Sequence, residues 1–281
     1  MRNKLLYLIL ILVVACKETE VAPTKTTDTP LSLHLTLGNP SNATIDVSNA
    51  NNYLIEKPQY VLSYSKDRGT PNWVSWHVNK DWLGSAQRQD DFRADNTLPA
   101  GWYRVPATAY TGTGFDRGHN TPSADRTKTE QDNSATFLMT NMIPQAPTNN
   151  RETWENLESY TRRLVQAGNE VYVIMGNYGK GGLGSNGNAE TIDQGRVTVP
   201  KQIWKVLVVL PEGDNDVSRI TTSTRVIAVN TPNINTVGPD WGIYRTTVDA
   251  IERATGLDLL SELPDNIENA LEAKADIGPT Q

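Results

Sequence analysis

A single cysteine and three histidines are the whole supply of thiol and imidazole in 281 residues. That scarcity excludes an internal disulfide and, with the histidines scattered along the chain, a Cys/His zinc site. Any metal must therefore be held by oxygen, which points to Mg²⁺, Mn²⁺ or Ca²⁺. Long apolar runs are missing too: the one from Leu5 to Val14 falls short of the ~20 residues a membrane-spanning helix needs. An excess of positive charge is also absent. Lys and Arg number 26 against 32 Asp and Glu, a net charge of −6 with a pI near 5.2. This argues against a protein that coats nucleic acid through bulk charge, although an enzyme needs only a locally basic cleft. What is present, 37% apolar residues and seven Trp, suits a folded globular body without internal repeats or a second domain.

Residues 1–16 read as a targeting segment. Arg2 and Lys4 form a positive start, Leu5 to Val14 an apolar stretch, and Ala15 precedes Cys16. Val13-Val14-Ala15-Cys16 resembles a bacterial lipobox, whose cleavage leaves the cysteine as a lipidated N-terminus anchored to a membrane without spanning it. The expected product is an exported, membrane-anchored lipoprotein. Lys17-Glu18-Thr19-Glu20 is similar to the acidic export tag of cell-surface members of that class. Residues 17–52, rich in Thr, Pro, Ser, Asn and Asp, bury too little apolar surface to offset their ordering entropy and read as a flexible tether. Within it, Leu31, Leu33, Leu35 and Leu37 alternate as a short strand or docking segment, and His34 reads as structural or exposed.

The body spans 53–281. Gln59 to Ser65 and Trp73 to Val78 are strand-like runs joined by Lys66-Asp67-Arg68-Gly69-Thr70-Pro71, which is turn chemistry. Trp73, Ser75 and His77 share one face of the second run, so His77 is expected to be a packed strand residue. Asp81 to Pro106 reads as a long irregular loop in which Arg88 looks like a surface arginine. Glu170 to Met175, Gln202 to Leu210 and Ile220 to Val229 are further strands, and Gly179 to Asn188 a mobile surface loop. Helices are expected from Thr246 to Ala254 and from Ile267 to Ala275.

Polar chemistry gathers between Phe115 and Arg163, around an apolar segment from Ala135 to Ile143 that reads as a strand. Its histidine, arginines, carboxamides and carboxylates suit hydrolysis of a phosphodiester with a hydrated metal ion. His119 is the one histidine in a polar, charged setting, where a neutral imidazole suits a general base; a structural turn is the alternative. Apolar spacing predicts a helix from Arg151 to Gln166, with Asn150 at or beside its N-cap. Asn150, Trp154, Glu158 and Arg162 then follow at four-residue steps, with Glu158 about 12 Å along the axis from Asn150. Both could reach one hydrated ion; equally, Asn150 is a helix cap and Glu158 half of a surface ion pair.

Phe115-Asp116-Arg117-Gly118-His119, Pro122 to Arg126, Ala135 to Met142, Pro144-Gln145, Asn149-Asn150, Trp154 and Leu157-Glu158 resemble the DNA/RNA non-specific endonucleases of the ββα-metal-finger superfamily, above all the NucA-type bacterial members. The likeness covers most of residues 55–260. It implies an α+β fold with a central, mainly antiparallel sheet flanked by helices, and cleavage of DNA and RNA, indifferent to sugar and sequence, to 5′-phosphate and 3′-OH ends. By the same resemblance His119 is the general base and Asn150 the sole direct protein ligand of Mg²⁺, with Mn²⁺ or another divalent ion as substitute. Glu158 holds the ion's waters, Arg88 stabilises transition-state charge, and Arg162 lies near the phosphate. Asp116, Arg117 and Asn141 support the site. Two other readings stand beside this one: an antagonistic nuclease restrained by a dedicated inhibitor protein, and a catalytically inactive surface lipoprotein that binds nucleic acid.

Overall fold

The computed structural model describes residues 32–281, so the signal segment, Cys16 and the start of the tether lie outside the described residues. The strands of the main sheet and of the site ribbon are, in chain order, β1 (Tyr53–Lys57), β2 (Tyr60–Ser65), β3 (Thr70–Val78), β4 (Asp116–His119), β5 (Met142–Gln145), β6 (Asn169–Tyr178), β7 (Gln202–Pro211), β8 (Arg225–Pro232) and β9 (Arg245–Thr246). The helices are α1 (Glu130–Ala135), α2 (Glu155–Gln166), α3 (Asp216–Arg219), α4 (Val248–Thr255) and α5 (Asp265–Glu272). Strands β1, β2, β3, β6, β7, β8 and β9 pair in that order into one seven-stranded antiparallel sheet. β4 and β5 form a separate ribbon in which His119 lies opposite Met142. The architecture is α+β.

Both faces of the sheet are covered, which explains why its central strands read as unbroken apolar runs rather than as alternation. On one face Val74, Trp76, Val78, Ile203 and Leu207 pack against Trp154, Leu157, Tyr160 and Val165 of the α2 region. On the other, Trp73, Tyr172, Val206 and Val208 meet Val248, Ile251, Leu259, Leu260 and Leu271 around α4 and α5. Thr247 caps α4 by accepting from the amide of Ala250, and Gly256 ends it in the left-handed region. Arg126 is fully buried and brackets the loop before α1: its guanidinium donates to the carbonyls of Gln59, His77 and Asp125 and stacks on Trp82.

Three expectations are corrected here. Residues 32–52 are not a free tether. Leu35, Leu37 and Ala43 are buried on the α4 side of the sheet, and His34 accepts the amide of His77 while its Nε2 meets the Pro58 carbonyl. Asn39 and Asn52 satisfy the polar backbone of this segment at 2.7–2.9 Å, so a few leucines suffice to dock it. The run from Ala135 to Ile143 is not one strand: α1 ends at Ala135, a 3₁₀ turn occupies Met139–Asn141, and β5 begins only at Met142. Its apolar side chains serve different neighbours rather than one sheet face. Gly182–Gly184 and Gly187–Ala189 form a small hairpin where a mobile loop was expected, packed so closely that a Cβ on Gly184 would sit 2.5 Å from the Gly114 carbonyl.

Candidate active site

The β4–β5 ribbon and the helical segment after it enclose a groove of about 410 Å³. Arg88, Arg117, His119, Ser123, Asn150 and Glu158 are among its lining residues, and Arg151, Glu155 and Arg162 also reach it. The four residues of β4 fold as they do because Gly118 must be glycine. A Cβ there would meet Gln145 Oε1 at 2.2 Å, forcing apart the pair of strands that presents His119. Asn141 fixes the chain just beyond the histidine: its side chain accepts from the Thr121 amide and donates to the carbonyls of Thr121 and Thr136.

His119 sits between Phe92 and Phe137, with ring centroids 5.5 and 4.9 Å away. Arg117 stacks on Phe92 at 4.2 Å and Arg88 on Phe137 at 4.9 Å. The chain has only three phenylalanines, and the third, Phe115, lines the adjoining cleft with Tyr110 and Arg151. Burial, then the Arg88 and Arg117 guanidinium groups, lower the His119 pKa to about 3. The imidazole is thus neutral at physiological pH. Its Nε2 is sealed from solvent without a hydrogen-bond partner among the described residues.

The helix begins differently from expectation. Asn149–Trp154 is a π-helical turn that runs directly into α2. Asn150 is therefore not an N-cap: its backbone is helical and its amide donates to the Ala146 carbonyl at 2.9 Å. The wider turn also breaks the four-residue register, because Trp154 is 1% exposed and turned into the core while Glu155 joins the groove. The Asn150 amide group donates to Asp116 at 2.9 Å, and Arg151 grips the same carboxylate with two hydrogen bonds of 2.7 and 2.8 Å. Asp116 thereby ties β4 to the π turn.

Glu158 and Arg162 lie farther along α2. Glu158 accepts from Lys205 Nζ at 3.1 Å, and Lys205, 1% exposed, lies over the rings of Trp76 and Trp154 at 5.4 and 5.0 Å. Burial raises the Glu158 pKa against the lowering effect of Lys205. Arg162 pairs with Asp125 at 3.1 Å, and Asp125 in turn accepts from Trp76 Nε1 at 3.0 Å. Arg88 donates to Ser123 and to Asp90 at 2.9 and 2.7 Å.

All the catalytic and metal residues expected from the sequence, His119, Glu158, Arg88, Asp116, Arg117, Arg162 and Asn150, border this groove or its adjoining cleft. Asn141 stands behind. Sequence reasoning missed Lys205, Glu155, Arg151 and the two phenylalanines flanking His119. Lys205 had a signal: it is the one charged residue in the ten-residue strand Gln202–Pro211. Away from the groove, on the other sheet face, ligand atoms of His77, Glu170 and Asp216 lie within 4.8 Å of one another. Arg219 already pairs with both carboxylates, so this cluster is an ion-pair network rather than a vacant metal centre.

Arginines around the rim, oxygen donors along α2 and a neutral histidine on the ribbon fit the backbone of a nucleic acid, and the class they define is the nuclease, a phosphodiester hydrolase. Comparison with known proteins narrows it. The DNA/RNA non-specific endonuclease family profile matches residues 38–266. A nuclease from Nostoc sp. is 50% identical over 267 residues, 94% of each chain. Human mitochondrial endonuclease G is 30% identical over 210 residues, covering 73% of this chain and 68% of its own. A chain in the crystal structure of the EndoG/EndoGI complex superposes with a TM-score of 0.67, covering 85% of this chain and 94% of that one; at 24% identity it speaks to the fold alone. The chain belongs to the DNA/RNA non-specific endonuclease family.

Two predictions follow from the electrostatics. His34, lowered to about 4, and His119, at about 3, both fold with pKa values below the free-histidine 6.5, as does His77, chiefly through burial. The contribution of His34 and His119 to stability is present above pH 6.5 and lost as pH falls towards 3–4. NMR of the imidazole protons should show neither His34 nor His119 titrating between pH 6 and 8; a His119 midpoint near 6.5, assigned with His119→Ala, would contradict the site electrostatics. Lys205→Met strands the Glu158 carboxylate and should cost on the order of 3 kcal/mol in urea unfolding near neutral pH. That penalty should shrink as pH falls and Glu158 protonates. A pH-independent penalty would mean that Lys205 acts through packing alone.

Proposed function

We propose that this nuclease cleaves DNA and RNA by adding water to the phosphodiester with His119 as general base, leaving 5′-phosphate and 3′-OH ends. The observation that carries the reading is the pairing of a neutral, half-buried imidazole with two guanidinium groups at the groove. A neutral ring accepts the proton of the attacking water, and Arg88 and Arg117 meet the charge that grows on the phosphate. Arg162, held by Asp125, adds a cation on the α2 side.

The donor set fits a hard divalent ion such as Mg²⁺ or Mn²⁺. Donation of Asn150 Nδ2 to Asp116 orients the carboxamide and leaves its oxygen available to the groove, while Glu158 adds a carboxylate for the ion's waters. When bound, such an ion supplies positive charge to the scissile phosphate and the departing oxygen. Lys205 positions Glu158, and Asp116 positions Asn150 and Arg151. Groups that react with the sugar–phosphate backbone need no base readout, which accords with indifference to sequence and sugar. The intact His119, Asn150 and Glu158 favour an active enzyme over a silent binding protein.

Nicking of supercoiled plasmid and cleavage of RNA, with Mg²⁺ or EDTA, test the reading. His119→Ala should lower the rate by roughly 10²–10⁴. Asn150→Ala should lose activity at low Mg²⁺ and recover part of it at high Mg²⁺; an unchanged Mg²⁺ titration would remove Asn150 from the metal site.

We further propose that the enzyme is exported and anchored to a bacterial membrane through lipid on Cys16, where it degrades nucleic acid outside the cell. The lipobox-like sequence ending at Cys16 is the support for this. Labelled palmitate should enter the wild type and not Cys16→Ala; equal labelling would sink the anchor.

A further inference from the structure

The C-terminal helices hold a second concentration of charge, on the sheet face opposite the groove. Asp249 and Glu252 stand one turn apart on α4, and Glu272 ends α5. One carboxylate oxygen from each lies within 4.8 Å of the others. Glu272 is 6% exposed, yet its Oε1 meets no N–H or hydroxyl donor among the described residues, and its carboxyl faces that of Glu252 instead. Glu252 is held in place by accepting the Leu259 amide at 2.7 Å. The positive charge paired with the trio is Arg253, 3.6 Å from Asp249 and itself 70% exposed, too solvated to neutralise the buried members.

A buried carboxylate oxygen without a donor is costly, and three carboxyl groups facing one another compound the cost. Only a proton or a cation relieves it. Without a cation, burial and then the charges of Glu252, Glu268, Asp249 and Asp258 push the Glu272 carboxyl up to about 8. A proton can bridge only two of the three acids, whereas a cation can take an oxygen from each, and Ca²⁺ tolerates irregular oxygen cages completed by water.

We propose that Asp249, Glu252 and Glu272 bind a calcium-class divalent cation that clamps α4 to α5 and secures the C-terminal helices on the sheet. The site is separate from the catalytic groove and does not depend on how the groove works. Because the two helices pack Val248, Ile251 and Leu271 against the sheet, occupancy should stabilise the whole fold.

The test is calorimetric titration with CaCl₂, paired with thermal unfolding, on the full chain carrying Asn150→Ala to suppress ion binding in the groove. One Ca²⁺ should bind, with a Kd of roughly 10⁻⁴–10⁻³ M or tighter, and raise the melting temperature. Adding Glu252→Gln or Glu272→Gln should weaken that binding at least about tenfold and abolish the thermal shift. In EDTA, Glu272→Gln should melt no lower than its parent, since it mimics the protonated acid; that comparison also shows that the variant folds. No Ca²⁺ uptake at millimolar concentration, or uptake unchanged when both glutamates are glutamine, would overturn the proposal.

Discussion

The contact between Lys205 and Glu158 sets the relation between sheet and groove. An ammonium group on the apolar face of a central strand would be prohibitively costly unpaired. It is tolerable because Glu158 meets it at 3.1 Å and the rings of Trp76 and Trp154 flank it. That requirement fixes α2 against β7 in both rotation and position along its axis. Once α2 is fixed, Arg162 falls beside Asp125, the π turn falls over β4, and Asp116 is within reach of Asn150 and Arg151. The ionic lattice thus joins the sheet, the helix and the ribbon that carries His119.

The surroundings of the histidine follow a different logic. Two aromatic rings partly shield it from water, and two arginines bias it against a proton. If a phosphodiester binds against these arginines, as proposed, the arriving anion offsets the part of the bias that they add to burial. Proton affinity would then rise as substrate enters, when a base is needed.

Most residues expected to form the site lie between 115 and 163, close in sequence and chemically unusual, and they gather at one groove. His119 stood out as the histidine in a polar setting, whereas helical spacing left Asn150 and Glu158 open to a cap and a surface ion pair, and only the family resemblance singled them out. What escaped depended on tertiary context. Lys205 lies 47 residues from its partner along the chain, and no periodicity links a strand lysine to a helix glutamate. The π turn hid behind a pattern that fits an α-helix, so Trp154 seemed to share the face of Asn150, and Glu155 went unnoticed. Most strands were readable from composition, and the helix expected from Thr246 to Ala254 forms as Val248–Thr255. Residues 32–52 and 135–143 misled for opposite reasons. The first segment is polar but docks through three apolar side chains; the second is apolar but turns, because Asn141 captures its backbone.

The central claim is that His119 supplies the base and the remaining groove supplies binding and charge. Imidazole rescue of His119→Gly tests it most directly, by single-turnover cleavage of DNA at neutral pH with saturating Mg²⁺. The account predicts a crippled variant whose rate climbs with the concentration of free-base imidazole, while Asn150→Ala gains nothing from imidazole. Cleavage by His119→Gly at the wild-type rate, indifferent to imidazole, would contradict it.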